Sequence, residues 1–241
     1  MFSPLYQQIK TLLMQSLAAR EWKAGEMIPS EQELAARFKV SQGTVRKAID
    51  ELAQENLLTR RQGKGTFVAA HDEVRTQFRF LRLMPNEGEQ TQPASRILAC
   101  QQVRPPADIA QQLALKVADG SAITIHRLLS FEGTPAVLDE IWLSAQQFKG
   151  LTIERLVQAH AQGHAPLYSL FEQDFGIKMI RAEEKIRAVA CDAATATHLH
   201  IAVDTPILLV ERLSYTFGDK PVELRRGYYL TEKHFYRNAL S

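Results

Sequence analysis

Apolar positions follow two rhythms along this chain, and the change of rhythm near residue 57 divides helices from strands. Leu5, Ile9, Leu12, Leu13 and Leu17 recur at helical spacing, which predicts an amphipathic helix from residue 4 to about 20. Gly25 breaks the pattern. In IPSEQELAARF, Ser30 stands three residues before Glu33, the spacing of a reciprocal N-terminal cap, with Pro29 setting the entry. A short helix burying Leu34, Ala35 and Phe38 is expected there. Ser41 offers a second cap and opens a third helix through about Glu55. Its narrow stripe of Val45, Ala48, Ile49 and Leu52 must pack against the first two helices. LLTRRQGKGTFVA then reads as strand, tight glycine turn, strand, a β-hairpin.

Beyond residue 70 the pattern changes again. AHDEVRTQFRF is polar and punctuated, and 71–78 is expected to link a 1–70 domain to a second domain at 79–241. MPNEGEQTQPAS, 84–95, is a long polar loop. Past it an internal repeat appears at an offset of about 86 residues, each copy giving a strand, a short helix, a turn and a glycine-tipped hairpin. Ile125-His126-Arg127-Leu128 answers to Val210-Glu211-Arg212-Leu213. Two such units predict an α+β domain built on one mainly antiparallel sheet. Ile123, Ile125, Leu129 and Phe131 alternate onto one strand face, and Arg127 shares it. An arginine in an apolar row pairs with a buried acid or awaits an anionic ligand; Glu223, Asp139 and Glu140 are the available acids.

Charge sharpens this picture. The net charge is only +2, yet residues 37–64 hold seven basic against three acidic residues. Such a local excess is the footprint expected for binding an anionic polymer. On the third helix Gly43, Thr44, Arg46 and Lys47 occupy the outer face first, and Asp50, Glu51 and Gln54 follow. That order opposes the helix dipole, so a partner outside the fold is expected to want the cations there. The hairpin segment TRRQGKGTFV contains no acid of its own. A nucleotide-phosphate loop is excluded: Lys64 is followed by Gly65 rather than Ser or Thr, and strand residues follow instead of a helix. Three helices, a hairpin and cations on the third helix and the turn together read as a winged helix-turn-helix. In it Arg60, Arg61 and Lys64 meet phosphates, and glycine permits close backbone approach.

PSEQELA, VSQGTVRKAI and RRQGKGTFV, in this order and spacing, make residues 3–69 resemble the DNA-binding domain of GntR-family bacterial transcriptional regulators. The resemblance implies DNA contacts from Ser30, Glu31, Ser41, Gln42, Thr44, Arg46, Arg60, Lys64 and Gly65, to which Lys47 and Arg61 are added from their positions. Lys39 stands where the family often has Gly, and Gln42 where it often has Arg, which points to a different operator. SRIL, HRLLSFEGTP, PLYSLFEQDFG and GDKPVELRRGYYL likewise make residues 78–237 similar to the UTRA effector-binding domain of the HutC subfamily, of chorismate-lyase-like fold. In relatives that bind phosphosugars, an R-x-R pair and a serine before LY hold the phosphate. Here Arg127 matches one arginine, Leu129 stands at the other, and Pro166 replaces the serine. The resemblance therefore implies a small polar metabolite, a carboxylate rather than a phosphosugar. Ser95, Arg127, Glu223 and Tyr228 are the effector-pocket candidates.

Other chemistries find little support. His160 and His164 have an H-x₃-H spacing but span Gly163 with no third ligand near, and His198 and His200 read as surface residues, so no metal is expected. Cys100 and Cys191 fit neither a disulfide framework nor a metal motif and read as small buried hydrophobes. No nucleophile elbow, apolar span or signal segment is present, which points to a soluble cytoplasmic protein without a cofactor. The expectation is a ligand-responsive homodimeric repressor released from a near-palindromic DNA operator by its effector. The alternatives are a lyase-like enzyme tethered to DNA, with Glu223 as acid or base, and an architectural DNA-binding protein.

Overall fold

The computed structural model describes residues 4–69, 81–89, 91–115, 121–161 and 167–238; the expected linker, 71–78, and His164 and Pro166 lie outside the described residues. The chain divides into two compact units, Met1–Asp72 and Glu73–Ser241.

In the first unit α1 (Leu5–Ala18), α2 (Glu31–Phe38) and α3 (Gln42–Gln54) precede a hairpin of β1 (Leu58–Arg61) and β2 (Gly65–Val68). Both caps form. The Ser30 N–H donates to the Glu33 carboxylate at 2.7 Å and the Glu33 N–H to the Ser30 hydroxyl at 3.3 Å. The Thr44 N–H donates to the Ser41 hydroxyl at 3.2 Å. Ile9, Leu13 and Leu17 of α1, Leu34 of α2 and Val45, Ala48, Ile49 and Leu52 of α3 are all buried. Leu5 and Leu12, expected on the inner face of α1, are 51% and 41% exposed. They stand seven residues apart on one flank, two turns of helix, and miss the face that α3 covers. Ala35 and Phe38 are only half-buried. The hairpin also gains an unexpected neighbour: Met27 bridges to Phe67, and the Ile28 N–H donates to the Thr66 carbonyl at 2.9 Å. An isolated bridge cannot show an alternating pattern, so this contact left no trace in the sequence. At the tip the Lys64 N–H donates to the Arg61 carbonyl, and Gly63 and Gly65 have φ of 69° and 110°. L side chains rarely adopt that backbone, which explains both glycines.

The second unit contains β3 (Leu83–Pro85), β4 (Ala94–Val103), α4 (Ala107–Gln112), β5 (Ala122–Phe131), β6 (Thr134–Ser144), α5 (Ile153–Ala161), α6 (Leu167–Phe175), β7 (Arg181–Ala190), α7 (Ala193–Leu199), β8 (Pro206–Thr216), β9 (Lys220–Tyr229) and β10 (His234–Tyr236). Six strands form one antiparallel sheet in the order β4-β5-β6-β9-β8-β7, while β3 pairs with β10 separately. The order is palindromic: β4, α4, β5 and β6 recur as β7, α7, β8 and β9. The sequence repeat is thus an approximate two-fold axis through the β6–β9 pair, where Glu140 faces Arg226. On one face Ile123, Ile125, Ile141 and Leu143 pack against Phe148, Leu156 and Phe171. On the other, Ile109 of α4 meets Trp142 and Leu224, and Ala196 of α7 meets Ile207.

Candidate nucleic-acid interface and effector site

The helical unit brings most of the expected DNA contacts onto α2, α3 and the hairpin. Arg46 is exposed on the second turn of α3, and Arg60 is exposed at the end of β1. Both reach one carboxylate, Glu31 at the first position of α2. Arg46 donates through Nε and Nη2 to Glu31 Oε2 at 2.9 Å each, and Arg60 Nη2 donates to Oε1 at 2.9 Å. Gln42 adds a hydrogen bond to Oε2 at 3.2 Å, and Arg60 also meets Asp50 at 2.8 Å. Partial burial alone would raise the Glu31 carboxyl, but the three donors hold it below its ordinary range. The basic turn is therefore not left without acids. Its partners come from α2 and α3, which a reading confined to the hairpin could not see.

Two further cations lie against aromatic rings. The Lys47 ammonium lies 3.9 Å from the Tyr6 ring centre, and the Arg61 guanidinium 4.5 Å from that of Phe67. Lys64 and Gly65 stand exposed at the hairpin tip. Ser30 and Ser41 carry the caps, and Thr44, half-buried, shares a hydroxyl contact of 2.8 Å with Ser41. Phosphates approaching this side would meet cations on two elements and the first N–H groups of α3.

In the second unit Ser95, Arg127 and Glu223 share the sheet face that carries Ile125 and Ile141, whereas Tyr228 projects to the opposite face beside α7. Strand alternation separates them, and Tyr229 takes the place expected of Tyr228. Arg127 is paired. It donates through Nη2 and Nε to Asp139 Oδ2 at 2.5 and 3.1 Å. Arg225 bridges onward, with Nη1 3.4 Å from Asp139 Oδ2 and its Nε and Nη2 on Glu223 at 3.1 and 3.2 Å. Tyr168 of α6 donates to Glu223 Oε1 at 2.8 Å. Farther along, Arg212 meets Glu184 at 2.6 Å, and Tyr236 donates to the same carboxylate. Arg82 also lies 3.4 Å from Glu184, so Arg82, Arg127, Arg212 and Arg225 pair with Asp139, Glu184 and Glu223. Gly227 makes the crossing possible: a Cβ there would lie 2.4 Å from the Tyr229 ring and 3.1 Å from Asp139 Oδ1.

This network is poorly suited to moving protons. Burial alone would raise the Asp139 carboxyl, but Arg127 and Arg225 hold it below the ordinary carboxylate range. Both Glu223 oxygens are occupied by Arg225 and Tyr168. Burial also pushes the Tyr229 hydroxyl up to about 12. Cys191 is buried and Cys100 half-buried, with burial and then Glu154 raising the Cys100 thiol to about 11. A thiol held there is a weak nucleophile at neutral pH.

A cavity of about 940 Å³ opens elsewhere in the same unit, lined among others by Glu87, Phe131, Glu132, His200, Lys233 and His234. None of the four effector candidates lines it. The only sequence signal for it was the long polar loop at 84–95, which supplies part of its wall. Among the described residues no three His, Cys, Asp or Glu side chains are grouped to hold a metal, and no helix is long and apolar enough to cross a membrane.

Residues 5–68 match the family of bacterial regulatory proteins called gntR, and residues 88–234 match the UTRA domain. The chain is 30% identical over 186 residues to the HTH-type transcriptional regulator SmoD of Agrobacterium fabrum, covering 76% of this chain and 73% of that protein. It is 26% identical over 217 residues to the histidine utilization repressor of Klebsiella aerogenes, covering 89% of this chain and 86% of the repressor. Among solved structures, the ligand-binding domain of a protein assigned to the GntR-family regulators of Bordetella bronchiseptica aligns with a TM-score of 0.63 and 46% identity, covering 67% of this chain and 98% of that one.

Proposed function

The chain belongs to the gntR family of bacterial regulatory proteins and carries a UTRA domain, and from that premise we propose that it is a homodimeric repressor of a near-palindromic operator, released by a small polar metabolite. Its relatives are named as transcriptional regulators and repressors, not enzymes, which sets the lyase-like reading aside. One observation carries the DNA half of the proposal. Arg46 on α3 and Arg60 on the hairpin meet at a single carboxylate, so the groove-reading helix and the wing present their cations together. A dimer would set two third helices in successive major grooves, about 10 bp apart or a small multiple of that. The work is done on DNA in the cytoplasm.

For the effector half, the charge balance around Arg127 supports a ligand without a phosphate. Around Arg127 two guanidiniums already meet two carboxylates, so an added dianion there would bring uncompensated negative charge, whereas a small polar or zwitterionic metabolite would not. Selection of the full-length protein on a pool of random duplexes tests the reading. The expected product is a palindrome with two half-sites, and retention without any shared sequence would overturn it.

A further inference from the structure

We propose that Glu31 is a positioning residue for DNA recognition: it holds Arg46 and Arg60 as one unit and so sets discrimination between operator and unrelated DNA. The inference rests on the DNA-binding function proposed above and replaces the direct contact that the family resemblance implied for Glu31. A carboxylate gains nothing by approaching a phosphate backbone. Its value lies in what it holds. Glu31 sits on α2, whereas its partners come from α3 and β1, so one side chain ties three elements together. Its side chain is only 13% exposed beneath two arginines that are 58% and 42% exposed. The acid lies below and the guanidiniums face outward, an arrangement that removes rotamer freedom from two long side chains before DNA arrives.

Position 42 completes the device. Gln42 offers Glu31 a neutral hydrogen bond, where an arginine would bring a third guanidinium to the same two oxygens. With glutamine there, one oxygen serves Arg46 and the other serves Arg60.

The test begins with the selected duplex and a scrambled duplex of equal length, each titrated at several salt concentrations with wild-type protein and Glu31→Gln. The proposal expects the variant to lose about tenfold in the ratio of selected to scrambled affinity. It also expects tighter binding to scrambled DNA, with a log–log salt slope steeper by about 0.9, because one neutralising carboxylate is gone. A double-mutant cycle separates positioning from direct contact. In an Arg46→Ala, Arg60→Ala background the Glu31→Gln change should alter the ratio by less than about twofold, since Glu31 then has nothing to hold. A ratio unchanged by Glu31→Gln in the wild-type background would overturn the proposal, and so would a tenfold loss that persists without the two arginines. Matching thermal unfolding of wild type and Glu31→Gln is expected. If the wild type selects no sequence at all, the proposed function falls, and the positioning role falls with it.

Discussion

At the scale of single residues, DNA recognition and the buried charge network make separable demands. Arg46, facing outward from α3, is the base-reading candidate, and Arg46→Ala should cost about 1–3 kcal/mol and relax preference at one base position. Lys64→Ala should weaken all DNA about equally and lower the salt slope by about 1. Titrations against operator variants at two salt concentrations distinguish the two, and equal behaviour would mean the roles are misassigned. Asp139→Asn attacks the other network by leaving Arg127 and Arg225 short of a carboxylate, and should lower stability by about 3–5 kcal/mol in denaturant unfolding. The pH dependence follows in sign. A carboxyl held low in the folded state contributes stability that is fully present above its unfolded value of about 3.9 and is lost as pH falls through the folded value. Wild type should therefore lose stability on acidification below about pH 4, and the variant should lose less of it.

At the scale of elements, the parts legible in the sequence were those fixed by local rules. Both serine caps, the stripe on α3 and the glycine turn lie within a few neighbouring residues, and each appears where its spacing places it. What the sequence hid was set by contact across distance. The bridge at Met27 forms along the edge of β2, and Leu5 and Leu12 are exposed because, among the described residues, no element covers that flank. Tyr228 stands one residue out of step with the Arg127 face, enough to send it through the sheet. Arg127 was recognised as odd, but three acids could have answered it, and only the pairing of β5 with β6 selects Asp139. Lys39 shows a local rule strained. It ends α2 with φ of 55°, where glycine is at ease, so Lys39→Gly should raise the melting stability of the helical unit by about 0.5–1 kcal/mol. Differential scanning calorimetry on the full chain measures this, and a loss of stability would show that the lysine makes a compensating contact.

At the scale of the whole molecule, the proposed mechanism requires two copies. Sedimentation equilibrium should give twice the 27.2 kDa chain mass at micromolar concentration; a single-chain mass there would remove the two-half-site geometry. Within one chain a different kind of doubling is already present. Positions 139 and 225 are counterparts under the sheet's approximate two-fold axis, and so are 140 and 226. Yet the first pair is Asp and Arg, 3.4 Å apart, and the second is Glu and Arg, facing each other in register. Two identical half-length chains related by that axis would set acid against acid or base against base along the same line. The join between the halves is heterotypic, a lock and key cut from one template and then altered separately. Carried on one polypeptide, the two copies differ at matching positions and stay matched, and replacing either half by a second copy of the other would set like charges along the join.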